Sequence, residues 1–246
     1  MIIIAHRGAS AVAPENTLAA FKEAIRVGAD MIELDVRLSR DGEVMVFHDQ
    51  DLSRTTDGNG PVEKRILAEL RKLDAGSWFS DEFIEEGIPT LEEVIRTIFP
   101  SRVELCIEIK IDPGREELRD KLVTDTLKIV EQTHFQDRTI IVSFDRKSIR
   151  LSKASCPEIR TGLIFNQEKV WAECAEEKYA GIDSLSVCWN IVTAPRVAAA
   201  HLAGRKVIAW TIDREKELYQ VLPLTIDALA SNNPGWLIGA LKSSNW

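Results

Sequence analysis

The stretch MIELDVRLSRDGEVMVFHD, Met31 to Asp49, decides the fold. Met31 to Leu38 alternates apolar and polar side chains with the period of two that marks a strand. Ile32, Leu34 and Val36 therefore share one face, and Glu33, Asp35 and Arg37 share the other. Two carboxylates this close repel each other, and one takes up a proton unless a cation sits between them. Asp41-Gly42 predicts a tight turn, after which Val44 to Phe47 returns antiparallel and delivers His48-Asp49. A hairpin turning near Arg40 and Asp41 places His48 roughly opposite Glu33. One short hairpin then gathers two acids and an imidazole; the bland alternative is a surface hairpin with solvated charges.

Before this stretch, Ile2 to Ala5 is an apolar run too short for a helix, and it ends on His6-Arg7-Gly8. Leu18, Phe21, Ala24 and Ile25 recur at helical spacing in LAAFKEAIRVG, with Gly28 as the stop. A strand-helix-strand unit implies a parallel pair. Too few residues separate Leu38 from Val44 for a parallel crossover, so the return strand is an excursion. Asp51 to Gly87 is charged and glycine-bearing, with only a weak helical piece at Leu67 to Leu73. It reads as an inserted lobe whose apolar contacts are Trp78, Phe79 and Phe83. Thr90 and Glu93 form a capping box for TLEEVIRTIF.

From there the alternation is regular. Strands are predicted at Glu104–Lys110, Thr139–Ser143, Arg160–Phe165, Ser184–Val187, Val207–Thr211 and Ala228–Ser231. Helices are predicted at Arg115–Gln132, Arg146–Ala154, Glu168–Tyr179, Pro195–Ala203, Glu215–Leu222 and Gly235–Lys242. With the first two strands this makes eight β/α units, which favours a closed (β/α)8 TIM barrel with a small insertion after the second strand. The whole chain, 1–246, reads as one domain with an inserted lobe at about 51–87. No glycine-rich nucleotide-binding pattern follows any strand.

Composition narrows the partners. A formal net charge of −8 without a basic run disfavours nucleic acid. Cys106, Cys156, Cys174 and Cys188 are scattered with no CxxC pair, which predicts a reducing compartment and argues against zinc. MIIIAHRG enters a strand at once, and no stretch approaches the length of a membrane span, so the expectation is a cytoplasmic protein with no signal peptide or integral membrane segment.

In such barrels chemistry collects at the C-terminal ends of the strands. Those ends carry His6 and Arg7, Glu33 and Asp35, Glu108 and Lys110, Ser143 and Phe144, and Trp210. Glu33, Asp35 and Glu108 converging on one mouth suit one hard divalent cation, Mg²⁺ or Ca²⁺. Arg7 offers a rigid fork and Lys110 a point charge for a phosphate. His6 and His48 suit a general acid and base. Together these are the elements of metal-assisted phosphodiester cleavage. Cys106 reads as packing, Trp210 equally as core or substrate wall, Glu15-Asn16 as a helix start or a functional loop, and Asp49 as an orienting or turn-capping residue. His134 and His201 read as surface or helix-end residues.

HRGAS, PENT, ELDVRLSRDGEVMVFHD and IEIK together resemble the glycerophosphodiester phosphodiesterase family, along the whole chain. The resemblance implies a metal-dependent hydrolase that releases glycerol 3-phosphate and an alcohol from a small glycerophosphodiester. It implies His6 and His48 as the catalytic pair, Glu33, Asp35 and Glu108 as metal ligands, Arg7 and Lys110 on phosphate, and Glu15 and Asn16 supporting the first loop. Two places depart from the family pattern: ASNNPGW at the end of the last strand, and WTID with Asp213. A lysophospholipase D is the same-class rival, favoured by an apolar rim of Trp78, Phe79, Phe83 and Trp171. A silent binding protein would not need both histidines and all three acids, and a glycosidase would not need His6, Arg7 and Lys110 together.

Overall fold

The computed structural model describes residues 1–173 and 181–243. In chain order the elements are β1 (Ile2–His6), α1 (Leu18–Val27), β2 (Met31–Leu38), β3 (Val44–Val46), α2 (Leu67–Leu70), α3 (Leu91–Ile98), β4 (Glu104–Ile109), α4 (Arg119–Gln132), β5 (Thr139–Ser143), α5 (Arg146–Ser155), β6 (Arg160–Phe165), α6 (Glu168–Glu173), β7 (Ser184–Cys188), α7 (Ala194–Leu202), β8 (Lys206–Trp210), α8 (Glu215–Val221), β9 (Ala228–Ser231) and α9 (Pro234–Ser243). The helix expected over Glu168–Tyr179 is present to Glu173; its remainder, with Cys174, lies outside the described residues. The helix expected from Arg115 begins four residues later, because Glu116–Leu118 takes the tighter 3₁₀ form.

All strands but β3 pair parallel, and the β1–β2 pairing closes the ring into a (β/α)8 barrel. Strand alternation sorts the side chains into two cores. Ile32, Leu34 and Val36 point outward into the layer under α1, α3 and α4, fully buried. Each such side chain contributes about 1.5–3 kcal/mol by leaving water. Ile4, Met31, Cys106, Ile140, Val142, Ile164 and Ile208 point inward and plug the barrel. On β1, β2 and β4 the inward positions above this plug are His6, Glu33, Asp35 and Glu108, so polarity changes along the barrel axis. The register sets His6 beside Glu33 and Asp35 beside Glu108.

The hairpin differs from expectation in one respect. Val36 faces Val46 and Leu38 faces Val44, so the register would put position 48 opposite Leu34 and not Glu33. The strand ends at Val46, with one further ladder bond from the Phe47 N–H to Asp35 O at 2.9 Å, and His48 follows in a loop. The Ser39–Gly42 turn sets this: the Gly42 N–H donates to Ser39 O at 3.1 Å, with Gly42 at φ +91. Beneath the hairpin, Met45 and Phe47 pack on Leu52, Val62, Leu70, Ala75 and Ile88. The buried contacts of the 51–87 segment are thus aliphatic, whereas Trp78, Phe79 and Phe83 stack edge to face on one another nearer the surface. Thr90 and Glu93 do form the capping box of α3.

Candidate active site

β1 delivers His6 to the mouth and the chain then bends sharply, with Arg7 at φ +56 and Gly8 at φ +82. Only glycine suits the second position, since a Cβ there would lie 2.7 Å from the Ala20 Cβ and 2.8 Å from its carbonyl carbon. This contact seats the start of α1 against the strand end, and Thr17 caps that helix. Asn16, also left-handed at φ +58, is tied back by its N–H to Arg7 O at 3.0 Å. Its side chain grips β2 twice: Nδ2 donates to Asp35 Oδ2 at 2.9 Å, and Oδ1 accepts from the Asp35 N–H at 3.3 Å.

Glu33, Asp35 and Glu108 are all buried, and each offers an oxygen within 4.8 Å of the others. Burial and the neighbouring Asp35 charge push Glu33 up to about 8. Burial likewise raises Glu108 to about 7, against the pull of Lys110. For Asp35 burial acts upward too, but Lys110 and Arg7 outweigh it and hold the carboxyl well below its usual range. Lys110 Nζ donates to Glu108 Oε1 at 2.8 Å and stands 3.5 Å from Asp35 Oδ1. The Arg7 N–H donates to Glu33 Oε2 at 2.8 Å, and its guanidinium donates to Glu15 Oε1 at 2.9 Å. Asp35 Oδ1 is buried and makes no hydrogen bond. An orphaned carboxylate oxygen inside an all-oxygen acidic cluster fits a hard divalent cation, which would also draw the protons off Glu33 and Glu108.

The two imidazoles stand on different partners. His6 Nδ1 is 2.7 Å from Asn232 Oδ1, and its Nε2 is 4.0 Å from Glu33 Oε2. His48 Nδ1 is 2.5 Å from Asp49 Oδ1. Burial lowers both rings' pKa, helped at His6 by the Arg7 charge and opposed at His48 by Asp35. Asp49 is held down at about 2: burial acts upward, but hydrogen bonds from Arg54 and His48 prevail. Arg54 also forks onto Glu15 at 2.8 and 2.7 Å, joining the His48 loop to the Arg7 loop.

A cavity of about 250 Å³ opens between these groups. His6, Arg7, Glu33, His48, Glu108 and Lys110 line one side; Val142, Phe144, Ile164, Ile208 and Trp210 line the other. Phe144 and Trp210 meet edge to face at 6.1 Å, and the buried Trp210 Nε1 has no hydrogen-bond partner. Cys106 lies in the cavity floor, its thiol pushed far up by burial and so inert. Glu15, Asn16 and Asp35 sit behind the lining. Trp171 packs on Phe165 at 5.3 Å instead of at the rim, and neither it nor Trp78, Phe79 or Phe83 lines the cavity.

Sequence reasoning passed over Arg54, read as part of a charged loop, and left Asp213 and Asn232 as mere departures from a pattern. Arg37 shares the face of Glu33 and Asp35 but turns away from the cavity to pair with Asp112, its Nε donating to His48 O at 2.8 Å. His201, at the end of α7, pairs with Asp227 at 2.9 Å, and His134 is exposed after α4.

A barrel mouth that sets an acidic cluster and two cationic side chains against a pair of imidazoles is the equipment of a phosphoric-ester hydrolase. The model of the glycerophosphoryl diester phosphodiesterase family matches residues 6–236, and the chain belongs to that family. A glycerophosphodiester phosphodiesterase of Caldanaerobacter subterraneus is 37% identical over 98% of each chain. Another, from Bacillus altitudinis, is 33% identical over 94% of each. The structure of an Oleispira antarctica phosphodiesterase in complex with the product sn-glycerol-3-phosphate superimposes with a TM-score of 0.91 at 36% identity, covering 98% of this chain and 97% of that one. No helix among the described residues is long and apolar enough to cross a membrane.

Proposed function

We propose that the chain hydrolyses glycerophosphodiesters to glycerol 3-phosphate and an alcohol, with one divalent cation, Mg²⁺ or Ca²⁺, held by Glu33, Asp35 and Glu108, and with His6 and His48 as the acid–base pair. The observation that carries this is the cluster of the three carboxylates, two of which, Glu33 and Glu108, open with both imidazoles onto one cavity. The named relatives and the product-bound neighbour support the substrate class. When bound, the cation would polarise a phosphoryl oxygen and offset its charge.

Arg7 and Lys110 bind the non-bridging oxygens, the first as a fork and the second as a point charge. Glu15, itself held by the Arg54 fork, holds the Arg7 guanidinium in place, and Asn16 holds Asp35. The histidines divide the proton work by their partners. A carboxylate at Nδ1 favours the imidazolium, so His48 delivers the proton to the leaving alkoxide oxygen. An amide oxygen at Nδ1 adds no such charge, so His6 takes the proton from the attacking hydroxyl. That hydroxyl belongs to water, or to the substrate's own glycerol; the second route gives a cyclic phosphate, which a water then opens with the two rings exchanging their acid and base roles. Phe144 and Trp210 form the wall on which the alcohol portion rests.

We further read the chain as one catalytic domain carrying residues 51–87 as an inserted lobe, and as cytoplasmic, in keeping with the free Cys106, Cys156 and Cys188. The test is a turnover screen of glycerophosphodiesters after exhaustive chelation, with Mg²⁺ and Ca²⁺ added back. Turnover that vanishes with the metal and returns with it is the expected result; full activity in the chelated protein would falsify the metal site.

A further inference from the structure

We infer that Asp213 is a positioning residue that acts through Asn232 to hold His6 in the tautomer protonated at Nδ1. The inference rests on the catalytic reading of His6 above. Asp213 follows β8, Asn232 follows β9, the strand next to β1, and His6 ends β1, so the three residues come from three strand ends at one mouth.

The direction of every hydrogen bond in this chain is dictated. Asn232 Nδ2 lies 2.6 Å from Asp213 Oδ2, and the Asn232 N–H donates to Asp213 Oδ1 at 2.8 Å. Ser231 Oγ donates to the same Oδ1 at 3.0 Å. A carboxylate only accepts, so the amide's NH₂ end must face Asp213 and its oxygen must face His6. An amide oxygen also only accepts. At 2.7 Å it therefore requires the hydrogen on His6 Nδ1. Ser10 Oγ lies 2.8 Å from His6 O and 3.0 Å from Asn232 Oδ1; its single hydrogen serves one of these acceptors at a time, and neither choice opposes an oxygen at that end of the amide. In the neutral ring the remaining nitrogen, Nε2, is then the bare one, and it is the atom that faces the cluster side of the cavity. The Asp213 N–H is itself anchored to Glu217 Oε2 at 2.7 Å, which fixes the far end of the chain.

Asp213→Asn inverts this logic. The Asn232 N–H and Ser231 Oγ still need an acceptor, so the new amide turns its oxygen to them and its NH₂ to Asn232. Asn232 then flips, presents its own NH₂ to His6, and drives the ring to the tautomer protonated at Nε2. The exchange Asp213→Asn with Asn232→Asp restores the original direction: the amide at 213 donates to the carboxylate at 232, which accepts from His6 Nδ1.

The experiment records two-bond ¹H–¹⁵N correlations of the histidine rings in the metal-free protein, with His6 assigned by its loss in His6→Ala, alongside turnover of a glycerophosphodiester. Asp213→Asn should move the His6 proton from Nδ1 to Nε2 and lower kcat by about 10²-fold or more, the low end of what a general acid or base supplies, with KM changed only a few-fold. The exchanged pair should return the proton to Nδ1 of the neutral ring; the carboxylate it places there also favours the imidazolium, so most of kcat should return at a pH high enough to leave Nε2 bare. If Asp213→Asn leaves the proton on Nδ1, or if the exchanged pair has the Nε2 pattern, the inference is overturned. Should Asp213→Asn fail to fold by circular dichroism, the exchanged pair decides the matter alone. A role confined to packing would lower the melting temperature without moving the proton. An inverted tautomer with unchanged turnover would instead sink the catalytic reading of His6 and leave the hydrogen-bond chain standing.

Discussion

Asp49→Asn separates the two histidines' roles. The replacement keeps an acceptor where Asp49 Oδ1 now sits, 2.5 Å from His48 Nδ1, and removes the charge behind it. A hydrogen bond to a charged group contributes about 1.5–3 kcal/mol net, and a neutral one about 0.5–1.5. The difference, about 1–1.5 kcal/mol, is the stabilisation of the His48 imidazolium that the variant loses. The two side chains are 27% and 26% exposed, so solvent screening keeps the effect near the lower end. Since about 1.4 kcal/mol is a factor of ten, the fraction of His48 that carries its proton should fall about five- to tenfold wherever the ring is mostly neutral. The amide's NH₂ then stands where Asp49 Oδ2 accepts from Arg54 Nε, so that bond is lost, but Arg54 keeps its fork on Glu15 and the loop stays tethered. For an acid the sign is fixed: activity falls as pH rises through the His48 pKa, and the variant's fall should come at lower pH. The assay is kcat/KM against pH for an unactivated glycerophosphodiester and for a nitrophenyl ester, whose leaving group departs with little need of a proton. The variant should lose about five- to tenfold on the first above the parent's midpoint, approach the parent at acidic pH, and match it on the second. Equal losses on both substrates, or a limb displaced to higher pH, would refute His48 as the acid.

Three further outcomes are expected. Arg7→Lys keeps the charge but loses the fork, so turnover should fall steeply while the unfolding midpoint barely moves; parental turnover would remove Arg7 from the phosphate. His6→Ala and His48→Ala should each lose about 10²–10⁴-fold, and the double variant far less than the product, because the rings act as a unit; multiplicative losses would show them working independently. Gly8→Ala combines a left-handed backbone, about 1–2 kcal/mol, with overpacking against Ala20, about 1–3 kcal/mol. The sum, about 2–5 kcal/mol, should lower the melting temperature by about 4–20 °C for a chain of this size, and an unchanged midpoint would mean the seat of α1 is soft.

What sequence makes legible here is whatever strand geometry determines locally. The alternation in Met31 to Leu38 sends Ile32, Leu34 and Val36 to the outer layer and Glu33 and Asp35 inward, because a strand has only two faces. The same rule places Glu108 inward on β4. Register is harder, since it depends on the turn: Gly42 and Ser39 close a turn that puts His48 one residue off the expected partner and beyond the last pair. Arg37 shows a second limit, as its face follows from periodicity while its long side chain reaches out to Asp112.

The hydrogen-bond partner of His6 lies 226 residues away, and no periodicity carries information over that span. Topology nevertheless narrows the choice. A largely buried imidazole needs a partner for each ring nitrogen. Once β1 sets His6 at the barrel mouth, only its neighbours β2 and β9 can supply one. β2 places Glu33 on the Nε2 side, 4.0 Å away and beyond hydrogen-bond reach, so the partner of Nδ1 comes from the end of β9. That is where Ser231-Asn232-Asn233 stands. The residue that fills this position is an amide, which cannot choose its own orientation, and the orienting charge must then come from the next loop around the ring. The loop after β8 provides it in Asp213, so the two loops answer each other in the folded protein.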